Sequence, residues 1–273
     1  MRYFIQFSYD GSNFHGSQTQ PNGVTVQEVM EQAFATILRT PVSLTFAGRT
    51  DAGVHAACMV AHFDTVKPIP VNFASRLNNL LPAAIAIASI RRVQDDAHAR
   101  FDATARTYHY RISTRKDPFT HLYRTRVKDG LDFEAMNKAA QRLLGKQDFA
   151  SFCRVHTDVK TTLCDVKEAY WVQENEHEAT FVITADRFLR NMVRAVVGTL
   201  FEVGYAIAMG KKVVAYVENE TGSWRFVNNP ADQFFCFRTG NENGGGDFEF
   251  QTTEVCIAQH LLYGCARGYG LCH

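Results

Sequence analysis

The chain has 273 residues, 46% hydrophobic and 21% charged, enough apolar material to pack the core of one large domain or two ordinary ones. A formal net charge of +1 gives no overall attraction to a polyanion. No apolar run is long enough to cross a bilayer, and "MRYFIQFSYDG" at the N-terminus lacks the features of a secretory signal, so a cytoplasmic location is the default expectation.

In chain order, "RYFIQFSY" alternates in polarity and predicts a strand. A long polar loop, "DGSNFHGSQTQPNG", follows. "TVQEVMEQAFATIL" predicts a helix, with Val26, Val29, Met30, Ala33, Phe34, Ile37 and Leu38 on one face. Thr25 and Glu28 form a capping box at its start. "VSLTFA" and "ACMVAHFDT" read as strands, "NFASRLNNLL" as a helix stopped by Pro82, and "AIAIASIRRV" as a strand. The order β-α-β-β-α-β is that of a split βαβ, or ferredoxin-like, unit.

The order then restarts. "ARTYHYRIST" alternates, with Thr107, His109 and Arg111 on one face and Tyr108, Tyr110 and Ile112 on the other. "DFEAMNKAAQRLLG" predicts a helix stopped by Gly145, "TLCDVKEAYWVQ" and "EATFVITA" a hairpin, and "FLRNMVRAVVGTLFEVG" a second helix closed by Gly204. The expected fold is α+β, with two ferredoxin-like (split βαβ) halves whose antiparallel sheets flank a central cleft. The boundary falls near residue 104, giving domains 1–104 and 105–273. From about Ala206 the chain changes character: a glycine run and no clean period suit a loosely packed tail.

Seven cysteines, an odd number with no C-x-x-C pair, fit reduced thiols rather than a disulfide framework or zinc site. The ten histidines show no H-x-x-x-H pair, so no metal is expected. From Arg76 to Lys128 eleven Lys or Arg stand against four Asp or Glu. Such a segment is either an electrostatic footprint for phosphates or an ordinary solvated surface.

Three places carry candidate chemistry. In "AGRTDAGVHA", Gly48 and Gly53 bracket Arg49, Thr50 and Asp51. That is a shaped loop presenting a charged pair, or a surface turn with a solvated one. "ARFDATARTYHYRI" holds Arg106 and Tyr108, and the last predicted helix holds Arg190, Asn191 and Arg194. At i,i+4 the two arginines of that helix share a face. Phe14 and Gln18 either line a binding path or stabilise their loop.

"GRTDAGVHA" resembles the catalytic loop of the tRNA pseudouridine synthase A family. "YDGSNFHGSQTQ", "RFDATARTYHYRI", "DFASFC" and "RFLRNMVRAVVGTL" resemble its other motifs in the family's order, over roughly residues 2 to 205. The resemblance implies an isomerase without cofactor that converts uridine to pseudouridine at positions 38, 39 and 40 of the tRNA anticodon stem-loop. It implies a homodimer with tRNA as partner. It makes Asp51 the catalytic aspartate and Tyr108 the wall against the target base. Arg194 becomes the partner of the aspartate, and Arg49 helps to flip and hold the RNA. Arg76, Arg91, Arg92, Arg106, Arg111, Arg115 and Lys116 form the pool for RNA backbone contacts, with a plain surface role open for each.

The chain departs from the pattern twice. Ser17 stands where the family usually has a tryptophan. The Gly-Leu-Tyr-Leu-like closing segment is not found; the tail is either a lineage-specific replacement or the product of a shifted reading frame. That leaves an alternative, a catalytically impaired tRNA-binding protein or chaperone.

Overall fold

In a computed structural model, residues 1–153 and 161–210 are described, with the backbone alone of the strands Lys212–Val214, Tyr216–Glu218, Trp224–Phe226 and Glu254–Cys256. The chain divides into two compact units, Met1–Thr104 and Ala105–His273.

The first unit runs β1 (Arg2–Tyr9), α1 (Val26–Leu38), β2 (Thr45–Phe46), β3 (Ala56–Asp64), α2 (Phe73–Leu80) and β4 (Ile85–Arg92). The strands lie in the order β2-β3-β1-β4, every neighbouring pair antiparallel. This is the arrangement expected of the split βαβ order. Tyr3, Ile5, Phe7 and Tyr9 of β1 point into the core, as period-2 alternation requires. Thr25 caps α1: its Oγ1 accepts the Glu28 N–H at 3.3 Å. Phe34 of α1 is fully buried and meets Phe63 and Phe73 edge-on at 4.9 and 5.2 Å. Such ring pairs contribute about 0.5–1.5 kcal/mol each beyond their area. The strand expected over "VSLTFA" shrinks to Thr45–Phe46. Its start is claimed by α1 instead: the Leu44 N–H donates to the Glu31 carboxylate at 2.8 Å, and its carbonyl accepts the Gln27 amide at 3.1 Å.

The second unit runs β5 (Arg106–Ser113), β6 (Thr125–Arg126), α3 (Phe133–Ala140), β7 (Gly145–Asp148), β8 (Leu163–Gln173), β9 (Glu178–Ala185) and α4 (Met192–Ala208). Its sheet has the order β6-β5-β9-β8-β7; β6 pairs in parallel with β5 and the other pairs are antiparallel. Trp171, Phe181, Met136 and Met192 lie in its core. Three helix boundaries differ from expectation. α3 stops at Ala140, and after a tighter turn over Gln141–Leu143, Gly145 opens β7 with φ of 87°. α4 begins four residues later than its apolar period suggests, because Asn191 adopts a left-handed φ of 68°. It also runs through Gly204 rather than ending there. A side-chain carbon at Gly204 would stand 2.6 Å from the Met136 sulfur, so its absence lets α3 and α4 close.

Of the short strands beyond, Lys212–Val214 pairs with Glu254–Cys256 in parallel, and Tyr216–Glu218 with Trp224–Phe226 antiparallel. The divergent tail, its glycine run and its missing closing segment otherwise lie outside the described residues. Among the described residues no helix is long and apolar enough to cross a membrane.

Candidate active site

Asp51 sits on the loop between β2 and β3, and that loop rests on the segment that leaves β1. Ser17 Oγ accepts the Thr50 N–H at 2.9 Å, and the Ser17 N–H donates to the Thr50 carbonyl at 3.1 Å. The Thr50 side chain is held as well, Oγ1 lying 2.8 Å from the Tyr9 hydroxyl. The Ser17 carbonyl takes the Gln27 N–H at 3.0 Å, which ties the clasp to the first turn of α1. Gly16 makes the approach possible: its φ is 93°, and a Cβ there would lie 2.8 Å from the Thr50 oxygen.

The other side of Asp51 is fixed by a turn. The Val54 N–H donates to the Asp51 carbonyl at 3.2 Å, with Gly53 at φ 75°, the positive angle that the third position of a type II turn demands. The Gly53 N–H reaches the Phe14 carbonyl at 3.3 Å. Next in the chain, His55 Nδ1 faces a donor and an acceptor at once: the Gly11 N–H at 3.1 Å and Asp10 Oδ1 at 3.0 Å. A neutral ring with its lone pair on Nδ1 takes the amide, whereas a proton on Nδ1 turns the contact into a charge-assisted bond to the carboxylate. Asp51 itself is half-buried, and Arg49 is exposed.

In the second unit, Tyr108 is half-buried on β5 beside Ile183 of β9. Its ring meets Phe188 edge-on, centroids 4.9 Å apart. Phe188 lies in the link from β9 to α4, so strand and link together present an aromatic wall. Arg194 lies exposed in the first turn of α4. Arg190 precedes the helix, so the shared i,i+4 face expected for the two arginines does not form; the left-handed Asn191 separates them.

The expected RNA-contact residues are spread over several elements. Arg76 is exposed on α2, Arg91 and Arg92 at the end of β4, Arg111 on β5, and Arg115 and Lys116 in the loop after β5. Arg106 is half-buried, and one of its guanidinium nitrogens donates to the Asp186 carbonyl at 2.7 Å. Phe14 belongs to the core of the first unit, while Gln18 is exposed. The positions that sequence reasoning undervalued are Ser17, Tyr9, Asp10 and His55, which hold the aspartate loop. For Tyr9, Asp10 and Ser17 the one visible signal was the density of small and polar residues in "YDGSNFHGS"; His55 stands in "AGRTDAGVHA" itself.

Among the described residues no group of three His, Cys, Asp or Glu side chains could hold a metal ion. A family described as tRNA pseudouridine synthase matches residues 5–102 and 139–222. The chain belongs to that family. It is 56% identical over 205 residues to the tRNA pseudouridine synthase A of Bacteroides fragilis, covering 74% of this chain and 81% of the relative. The Geobacter sulfurreducens protein of the same name is 44% identical over 199 residues, 72% of this chain and 81% of that one. That of Halalkalibacterium halodurans is 34% identical over 263 residues, 95% and 99% of the two chains. As a tRNA pseudouridine synthase, the chain is an isomerase of tRNA uridine. This chemistry breaks the bond from C1′ to N1, turns the uracil and joins C5 to C1′; C5 gives up a proton and N1 gains one, so the atoms balance.

Proposed function

We propose that the chain isomerises uridines 38, 39 and 40 of the tRNA anticodon stem-loop, with Asp51 as the reacting carboxylate. The observation that carries the assignment is the double anchoring of the Asp51 loop, by Ser17 and Tyr9 on one side and by Phe14, Gly11 and Asp10 on the other. A carboxylate that attacks carbon or removes a proton needs a fixed position, since a displacement near 1 Å can cost on the order of a hundredfold in rate. Loops that serve only as connections are seldom pinned so closely.

In this reading Tyr108, backed by Phe188, is the face against which the detached uracil stacks. Arg194 is the guanidinium that pairs with the aspartate. Arg49 holds the displaced nucleotide, and Arg76, Arg91, Arg92, Arg106 and Arg115 contribute phosphate contacts. Extrusion of the base costs a few kcal/mol, which such backbone contacts offset. The protein is further proposed to act in the cytoplasm as a homodimer.

The deciding experiment replaces Asp51 by Ala and follows tritium release from tRNA labelled at C5 of uridine, with mapping of pseudouridine in the product. Turnover is expected to vanish while tRNA binding persists. Release near the unmodified rate would remove Asp51 from the mechanism, and pseudouridine only outside positions 38–40 would remove the assigned site.

A further inference from the structure

The loop that leaves β5 at Ser113 and returns at Thr125 is tightly built and yet displays apolar rings. Asp117 organises its tip: Oδ1 accepts the Phe119 N–H and Oδ2 the Thr120 hydroxyl, both at 2.9 Å. The Thr120 carbonyl takes the N–H groups of Tyr123 and Arg124 at 2.9 and 3.1 Å. Arg124 is anchored to Glu174 and Glu178 at 2.7 and 3.3 Å. On this frame Phe119 is 88% exposed, Leu122 54% and Tyr123 46%. The neck is cationic: Arg126 pairs in register with Ser113, two residues before Arg115, and Arg115, Lys116 and Arg126 are exposed. Of the nearby acids, Asp117 is held in the turn and Glu174 and Glu178 are bound to Arg124, while Glu176 between those two and Asp129 further along are exposed.

A rigid loop gains nothing for its own stability from a phenylalanine held in water. Flat rings beside guanidinium and ammonium groups fit a polyanion with stacking faces. We infer that the loop over residues 114–126 is a second tRNA contact, in which Phe119 stacks on a base while Arg115, Lys116 and Arg126 take phosphates. A second copy of the chain suits the loop less well, because a two-fold interface would set the same cations against one another. The inference rests on the reading of tRNA as substrate but not on the role of Asp51.

The test measures binding of full-length substrate tRNA to the whole chain carrying Asp51→Ala, so that turnover does not intervene. Adding Phe119→Ala should weaken binding roughly tenfold, and Phe119→Tyr should stay within about twofold of the parent. Arg115→Ala with Lys116→Ala should flatten the dependence of log Kd on log salt by about 1–2. Thermal unfolding should not move, since the ring is exposed. With Asp51 intact, Phe119→Ala should raise KM and leave kcat in place. Unchanged affinity and salt slope would overturn the inference, and a simultaneous fall in oligomeric state would give the loop to a second copy. Should Asp51→Ala still turn over, the proposed active site fails, and the binding series judges the loop independently.

Discussion

Replacing Ser17 by Ala removes one oxygen from a site with no solvent exposure. The Thr50 N–H, which donates to that oxygen at 2.9 Å from a partly buried position, then loses its acceptor. A buried donor left unsatisfied costs about 1–3 kcal/mol. The backbone bond from the Ser17 N–H to the Thr50 carbonyl and the Tyr9 contact to Thr50 Oγ1 survive the change. The loop is therefore loosened rather than released. Urea unfolding of the full chain should register the loss with an unchanged m-value. Tritium release should show kcat reduced by roughly tenfold or more, because Asp51 follows Thr50 directly and catalysis is sensitive to small displacements. KM for tRNA should hold. A variant within about 0.5 kcal/mol of the parent in stability and equal to it in kcat would refute the idea that this hydroxyl positions the loop.

Other consequences follow from the same geometry. Burial, then the charges of Arg2 and His98, lower the His62 pKa below its ordinary 6.5, against the pull of Asp64 and Asp102; the unfolded chain thus binds the extra proton first, the stabilisation is complete above 6.5 and is lost as pH falls below it. His62→Gln should flatten that limb of the stability curve measured by urea unfolding. Gly204→Ala drives a carbon to within 2.6 Å of the Met136 sulfur in a closed core; the overpacking of about 1–3 kcal/mol should outweigh the gain of up to about 1 kcal/mol in helix propensity, and in a double-mutant cycle with Met136→Ala, read by urea unfolding, the two losses should sum to less than their separate values. Burial pushes the Cys164 thiol up to about 11, whereas Cys58 is exposed. Iodoacetamide at neutral pH followed by peptide mass spectrometry should therefore label Cys58 in the native protein and Cys164 only after unfolding.

The parts of the fold that were legible in the sequence are those where one local signal had no competitor. β1 and β5 alternate because one face of each is buried, and Thr25 marks the start of α1 because its hydroxyl has an N–H to satisfy. Legibility failed where a distant group decided. The strand expected around Leu44 lost its backbone to Glu31 and Gln27, and α4 started late because of one left-handed asparagine. β6 and β7, two and four residues long, are too short to show a period. At the candidate site the aspartate stood out by its glycine frame and by family resemblance. Its anchor, Ser17, did not, because the apolar or polar character of a single residue does not reveal that its hydroxyl is buried against a loop thirty-three positions away.

That same serine bears on how the departure from the family pattern should be weighed. Where a tryptophan is usual, loss of the ring predicts a slack loop, since a large aromatic side chain supplies on the order of 150–250 Å² of buried area. Ser17 instead shows no exposed surface and takes part in three hydrogen bonds, two to Thr50 and one from Gln27. The two bonds to Thr50 act on the backbone of the residue next to Asp51, so they fix the position of the proposed reacting carboxylate, and they do so directionally, which apolar contact does not. The clasp also explains why "YDGSNFHGS" and "AGRTDAGVHA" belong together although some thirty residues apart: each supplies the acceptors for the other's amides, and neither loop keeps its shape alone. A serine at position 17 thus argues for a differently anchored aspartate, not for a disabled one.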